Sequence, residues 1–249
     1  GSGSDYTIHE ALRLFRNNKK YEFIGRLHEQ ISSKEKNIDL KKRFSVEDIR
    51  LYHYGYLDTV TNNKKKRERN IPILLEQIAQ EPENLFHYFN LGNEYLAQKD
   101  YGQALEQYKK VYAKLDITQP YSPHLLYRMI CCLFELKEYE KALLLAEEAL
   151  KAYPLCTDIM FLKGFILSFI KRYTLAVDCF NKCIEMGEPP RTLNLLNGCA
   201  TFRPYIALGD IYSQLDDLDK ALHAYTQALN SNNELYYLLY KIGNLLNKK

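Results

Sequence analysis

Four alanines, Ala104, Ala142, Ala176 and Ala221, return along this chain at spacings of 38, 34 and 45 residues. Each sits in the same local pattern of small and large side chains. Leu91-Gly92-x-x-Tyr95 leads to Ala104, Tyr108 and Val111, and Leu208-Gly209-x-x-Tyr212 leads to Ala221, Tyr225 and Ala228. Gly164, Leu167, Ala176, Phe180 and Cys183 fill the same slots, as do Leu133, Ala142, Ala146, Ala149 and Pro154. A unit of 34 residues with insertions of four and eleven accounts for all three spacings. The second unit departs twice, with Ile130 where glycine would stand and Ala146 where an aromatic would. The pattern has a physical cause. Antiparallel helices pack closely only where small side chains let their backbones approach, and the large slots fill the space beside the next pair. One pair cannot bury its apolar face alone, so several must stack.

This is the pattern of the tetratricopeptide repeat. It predicts a mainly α protein, a solenoid of helical hairpins near 85–118, 123–156, 157–190 and 202–235. A final helix over 234–247 would serve as a cap or a truncated fifth repeat. The eleven-residue insertion, 191–201, is either a loop or an extended helix, and Gly198 with its asparagines argues for the loop. Such arrays hold partners and seldom perform chemistry. The first helix of each pair lines the concave side, which predicts a groove built from Phe86, Phe89 and Asn93, then His124, Tyr127 and Cys131. The next two repeats add Asp158, Phe161 and Phe165, then Arg203, Ile206 and Asp210, with Arg128 beside the row. The set is aromatic with scattered polar groups and lacks the Lys/Asn/Arg clamp that holds a C-terminal carboxylate. It suits an extended peptide with hydrogen bonds from Asn93 and Arg128. The alternative is that several of these aromatics pack inside the solenoid.

Composition narrows the partners. The chain of 249 residues carries a formal net charge of +3, too little to argue for nucleic acid or a membrane surface. No apolar run reaches the roughly 18–20 residues of a membrane helix. The six cysteines contain no C-x-x-C pair, so buried free thiols in a reducing cytoplasm are expected rather than zinc or disulfides. Lys64 to Arg69 is broken by Glu68 and reads as a solvated helix face. Asp217-x-Asp219 falls in a turn between helices and reads as a helix start.

Residues 5–58 do not read as repeats, and Gly1-Ser2-Gly3-Ser4 (1–4) reads as an expression scar. Segments 11–16 and 21–27 look like two short strands joined by a polar turn, with 49–54 as a third. A connecting amphipathic helix follows within 59–84, either kinked at Pro72 or starting near Ile71. Some fifty-five residues of this kind can hardly fold as a separate domain.

Here the chain resembles a known family. Arg13-Leu-Phe-Arg-Asn17, with Tyr21-x-Phe23-x-Gly25-Arg26-x-His28-Glu29-Gln30-Ile31, is similar to the closing segment of bacterial family 2 glycosyltransferases. His53-Tyr54-Gly55-Tyr56, Lys66-x-x-Arg69-Asn70 and Leu74-Leu75 resemble the junction in members with tetratricopeptide repeats after the catalytic domain. The resemblance spans roughly residues 9–112 and extends through Glu81-Pro82-Glu83-Asn84 into the first repeat.

The resemblance implies a C-terminal part of such an enzyme, with 5–58 the α/β remnant of its GT-A domain and 85–249 the repeats. The parent would move a sugar from a nucleotide-sugar to a protein, peptide or glycan acceptor, using Mn²⁺ or Mg²⁺. His28 would complete the metal shell and Glu29 would position the acceptor; the competing reading of His28 is a histidine hydrogen-bonded at a strand end. His9 and His53 read as surface and packing residues. The donor-binding half and its acidic metal motif find no place here, so this part alone is expected to be inactive. The repeats would bind the acceptor or form a homodimer. The rival reading is a stand-alone interaction scaffold with 5–58 as a capping element.

Overall fold

The computed structural model describes residues 20–24, 27, 30–34, 60–193 and 195–248. They fall into two compact units, within 11–114 and within 115–249. The readings placed on His9, His28, Glu29, His53 and on strands at 11–16 and 49–54 lie outside the described residues.

In the first unit, strand β1 (Tyr21–Ile24) pairs antiparallel with β2 (Gln30–Ser33), Tyr21 opposite Ser33 and Ile24 opposite Gln30. The neighbour of the 21–24 strand is thus a segment that the sequence pattern left unassigned. Helix α1 (Val60–Gln80) runs through Pro72, so a start near Ile71 is corrected. An interior proline costs about 3 kcal/mol, and packing offsets it. Leu74 is fully buried, and the buried Asn70 donates to Glu94 of α2 (Leu85–Ala97) at 2.8 Å. Helix α3 (Tyr101–Tyr112) completes the first hairpin.

The second unit repeats that hairpin. Its helices are α4 (Ser122–Glu135) with α5 (Tyr139–Ala152), α6 (Thr157–Phe169) with α7 (Tyr173–Met186), and α8 (Phe202–Gln214) with α9 (Leu218–Ser231). Helix α10 (Tyr237–Lys248) follows; it starts three residues later than the periodicity predicted. Its Leu238 and Leu245 join Ala221, Tyr225 and Ala228 in one apolar cluster. Asn84, Asp100 and Asp217 cap α2, α3 and α9, their side chains accepting from Phe86, Gln103 and Lys220 main-chain N–H groups. Each such cap is worth about 1 kcal/mol, and Asp217 is thereby a helix start.

The four marker alanines are all completely buried, as are Tyr108 and Phe180. A Cβ on Gly92 would stand 2.4 Å from the Tyr108 ring, on Gly164 2.9 Å from Phe180, and on Gly209 2.5 Å from Tyr225. The second repeat inverts the volumes at the equivalent positions. Ile130 replaces the glycine, Ala146 replaces the aromatic, and both are fully buried. Its departure from the pattern is therefore an exchange of volume between two helices, which close-packed cores accept.

Every turn inside a hairpin is three residues long, and its middle residue is left-handed: Lys99, Lys137, Lys171 and Asp216 at φ 57–63°. The next residue returns a main-chain N–H to the preceding helix, Asp100 to Tyr95 and Asp217 to Tyr212, with Glu138 to Leu133 and Arg172 to Leu167 at 2.8 Å. This is the Schellman closure, made here without glycine.

The glycine contacts give an internally controlled test. Gly209→Ala should lose about 1–3 kcal/mol through overpacking against Tyr225. Gly243→Ala, whose Cβ would meet no atom within 4 Å, should gain up to about 1 kcal/mol from helix propensity. Urea unfolding of the two variants measures both; equal effects would remove the close-packing account.

Candidate functional site

In the first unit, slot counting put Phe86, Phe89 and Asn93 on the concave side of α2. Phe89 is instead core, with its side chain only 6% exposed and its ring 6.1 Å from Tyr108 and 6.2 Å from Phe86. Because Tyr108 stands over Gly92, the ring one turn earlier closes beside it rather than facing solvent. Asn93 accepts from the Tyr108 hydroxyl at 2.8 Å, so its carbonyl satisfies a core phenol. Phe86 is half-buried.

In the second unit, Phe161, Phe165 and Arg203 do come together. They line an open groove of about 460 Å³ with Phe169 and Lys171, and with Ile206, Asp210 and Gln214 from α8 and Tyr237 from α10. Phe165 and Phe169 remain 43% and 57% exposed. Their rings lie 5.4 and 5.0 Å from Phe134, and Tyr139 adds a fourth ring 5.6 Å from Phe169. Phe161 is shared with the core, 5.5 Å from Phe180. Asp210 accepts from the Tyr225 hydroxyl and from Lys241, whose ammonium also lies over the Tyr225 ring. The groove thus offers aromatic surface from α6 and polar groups from α8. Tyr127 and Arg128 are half-buried on α4 and do not line it.

Sequence reading missed what the insertion does. After a short 3-10 turn at Arg191–Leu193, residues 195–200 fold inward, burying Leu195, Cys199 and Ala200. Leu195 and Leu196 both donate main-chain N–H groups to one oxygen of Asp158, the second at 3.2 Å. Arg203 Nε donates to the Asn197 carbonyl at 2.7 Å. Thr157 donates to the Gly187 carbonyl at 2.8 Å, fixing the beginning of the connection. Gly198 needs its left-handed φ of 83°, and a Cβ there would meet the Phe202 ring at 2.2 Å. The signal was available in the side chains. An insertion carrying Leu195, Leu196, Cys199 and Ala200 is too apolar for a solvated loop.

Asp158 is 1% exposed. Burial lifts its carboxyl above the usual carboxylate range, while the Leu195 N–H, the Cys199 thiol, the Leu196 N–H and Arg203 pull it back. Burial also pushes the Cys131, Cys132 and Cys156 thiols up to about 12, and raises Cys183 and Cys199 further. The Tyr127 phenol is raised well above its ordinary value, first by burial and then by Cys131, Cys199 and Asp158. No group of three or more His, Cys, Asp or Glu side chains among the described residues could hold a metal ion. Among them, too, no helix is long and apolar enough to cross a membrane.

These shifts set two expectations. The folded chain binds a proton at Asp158 more tightly than the unfolded chain does. The cost of the buried carboxylate is therefore fully present above the folded pKa and fades as pH falls through it. On lowering the pH from neutrality toward the ordinary carboxylate value, wild-type stability should rise relative to Asp158→Asn; urea midpoints that stay parallel throughout would refute this. The six cysteines are unpaired and five are buried. With so little thiolate available, the five buried ones should react with a disulfide reagent only as fast as the chain opens. A fast native-state burst from those five would contradict their placement.

Tetratricopeptide-repeat profiles match residues 95–159, and separately 157–186 and 202–235. Over 212 residues, 82% of this chain, it is 32% identical to the SPbeta prophage-derived glycosyltransferase SunS of Bacillus subtilis (strain 168). The glycosyltransferase SunS of Bacillus phage SPbeta matches equally. The chain spans about half, 46%, of the length of these curated relatives. Among solved structures it is similar to a tetratricopeptide repeat protein from Parabacteroides merdae ATCC 43184, with TM-score 0.57, 18% identity, and coverage of 74% of this chain and 67% of that one. MamA aligns with TM-score 0.55 and 19% identity over 69% of this chain and 95% of its own. YrrB, described as a TPR protein with an unusual peptide-binding site, aligns with TM-score 0.55 and 17% identity over 72% and 85%. The helical part of the chain is thus built of tetratricopeptide repeats, and its sequence is related to that of a glycosyltransferase.

Proposed function

We propose that this chain is the C-terminal, repeat-bearing part of a family 2 glycosyltransferase, and that its repeats hold a protein or peptide acceptor for sugar transfer. The observation that carries the reading is the 32% identity to the glycosyltransferase SunS over 82% of the chain. The open groove of the second unit supports it. Exposed Phe165 and Phe169 beside Arg203 and Asp210 offer stacking surface and hydrogen-bonding groups at one place, the combination that suits an extended peptide. In the intact parent, the GT-A domain would supply the donor site and a divalent metal, Mn²⁺ or Mg²⁺. His28 would be a ligand of that metal, and Glu29 would position the acceptor. The unpaired cysteines fit a reducing cytoplasm, and a homodimer through the repeats is the other partnership this part would serve.

Two measurements test the reading. The 249-residue chain should fold, be mostly helical, and release no nucleotide from UDP-sugars in the presence of Mn²⁺; turnover would contradict the assignment as a part without donor site. Panning a displayed peptide library against the chain should enrich sequences with apolar or aromatic residues. Phe165→Ala with Phe169→Ala, both at exposed rings, should weaken those peptides at least about tenfold (some 1.4 kcal/mol) with helicity unchanged. Unchanged affinity would remove the groove and leave the relationship to glycosyltransferases standing.

A further inference from the structure

We propose that residues 195–200 are a displaceable strap resting in the repeats' own peptide site, and that an extended partner peptide takes its place on Asp158 and Arg203. The inference rests on the peptide-binding reading above and says which residues hold the main chain and what holds the site closed.

The chemistry of the strap's anchors carries the argument. Helix surfaces have no free main-chain donors or acceptors along their sides, so an extended peptide on such a surface must be held by side chains. Here two successive N–H groups, of Leu195 and Leu196, go to Asp158, and the next carbonyl, of Asn197, accepts from Arg203. These three bonds read main chain, and a single strap side chain joins them, the Cys199 thiol donating to Asp158. The apolar contribution is equally general, since Leu195 is buried as a simple aliphatic side chain. A peptide with an aliphatic residue, two main-chain units of the same shape and a small thiol or hydroxyl donor four residues on offers the same groups.

The open groove begins where the strap ends. Arg203 both holds the Asn197 carbonyl and lines the cavity with Phe161, Phe165 and Asp210. A partner longer than the strap would therefore continue from the Asp158–Arg203 pair onto the aromatic surface, which the strap does not reach. At the other end the connection is fixed by the Thr157 bond to the Gly187 carbonyl, so only the part beyond it would be displaced. A carboxylate 1% exposed, satisfied by amide dipoles rather than a bidentate cation, retains part of its desolvation cost. Because the strap is tethered, it competes at an effective concentration of roughly millimolar, so the closed form dominates until a partner offers additional contacts.

The test uses the strap as its own probe. A fluorescent peptide of residues 192–201, with serine for Cys199, is titrated into the 249-residue chain and into Leu195→Ala/Leu196→Pro, which loosens the tethered copy. The double variant should bind the peptide at least about tenfold more tightly than wild type, and adding Asp158→Ala should abolish the gain. A folded variant that binds no better, or binding indifferent to Asp158→Ala, overturns the proposal. Hydrogen exchange on the wild-type chain covers the case in which the variant fails to fold. The amides of 195–197 should open separately from α6 and α8, and faster still in Asp158→Asn; protection equal to the two helices overturns it. If the strap peptide binds while no library peptide does, the strap stands and the acceptor reading falls. If library peptides bind with the strap unmoved, the reverse holds.

Discussion

Contact between a glycine on one helix and an aromatic ring on its partner sets the rest of this structure. At Gly92, Gly164 and Gly209 the missing Cβ is the space that Tyr108, Phe180 and Tyr225 fill. That approach fixes how closely each hairpin closes. It also orients the first helix of the pair, and with it the side chains offered to a partner. The second repeat reaches the same density by inverting large and small at Ile130 and Ala146. What is maintained is the total volume at a crossing, not the identity of either residue. The core follows, and the groove on α6 and α8 is a by-product of the same helix placement.

Much of the fold was legible from that spacing. The alanines at 104, 142, 176 and 221 located four hairpins, and helix starts at Leu85, Thr157 and Phe202 fall where the slots put them. Periodicity was a poorer guide to the site. It treats each first helix as a face open to solvent, so it assigned Phe89 to the groove, where a neighbouring ring buries it. It could not register Phe169, which the slots do not include and which carries the most exposed ring at the groove. It was also silent about 195–200, because a segment outside the period has no slot. There the apolar character of Leu195, Cys199 and Ala200 held the information, and only their burial shows which side chain receives them.

Two kinds of polar group are buried in the helices, and they behave differently. Asn70 and Glu94 satisfy one another between α1 and α2 and act as structure. Asp158 satisfies main chain from the connection between two hairpins, and burial raises its carboxyl while those N–H groups pull it back. The first kind links helices that must be together. The second links a helix to something that can be exchanged, which is why its neighbourhood, rather than the larger first-unit core, invites experiment.

The hairpin turns have a consequence for how such a chain can change over time. Each is three residues closed by main-chain bonds around a left-handed lysine or aspartate, and none varies in length. The connections between hairpins differ instead, from four residues at 153–156 to fifteen at 187–201. Nearly all of the irregularity in the 38, 34 and 45 spacing therefore lies between hairpins. The hairpin is the repeated unit, and the junctions are where the repeats differ. A junction that admits residues at no cost to packing is also where an array can acquire a new binding segment while every existing crossing is left as it was.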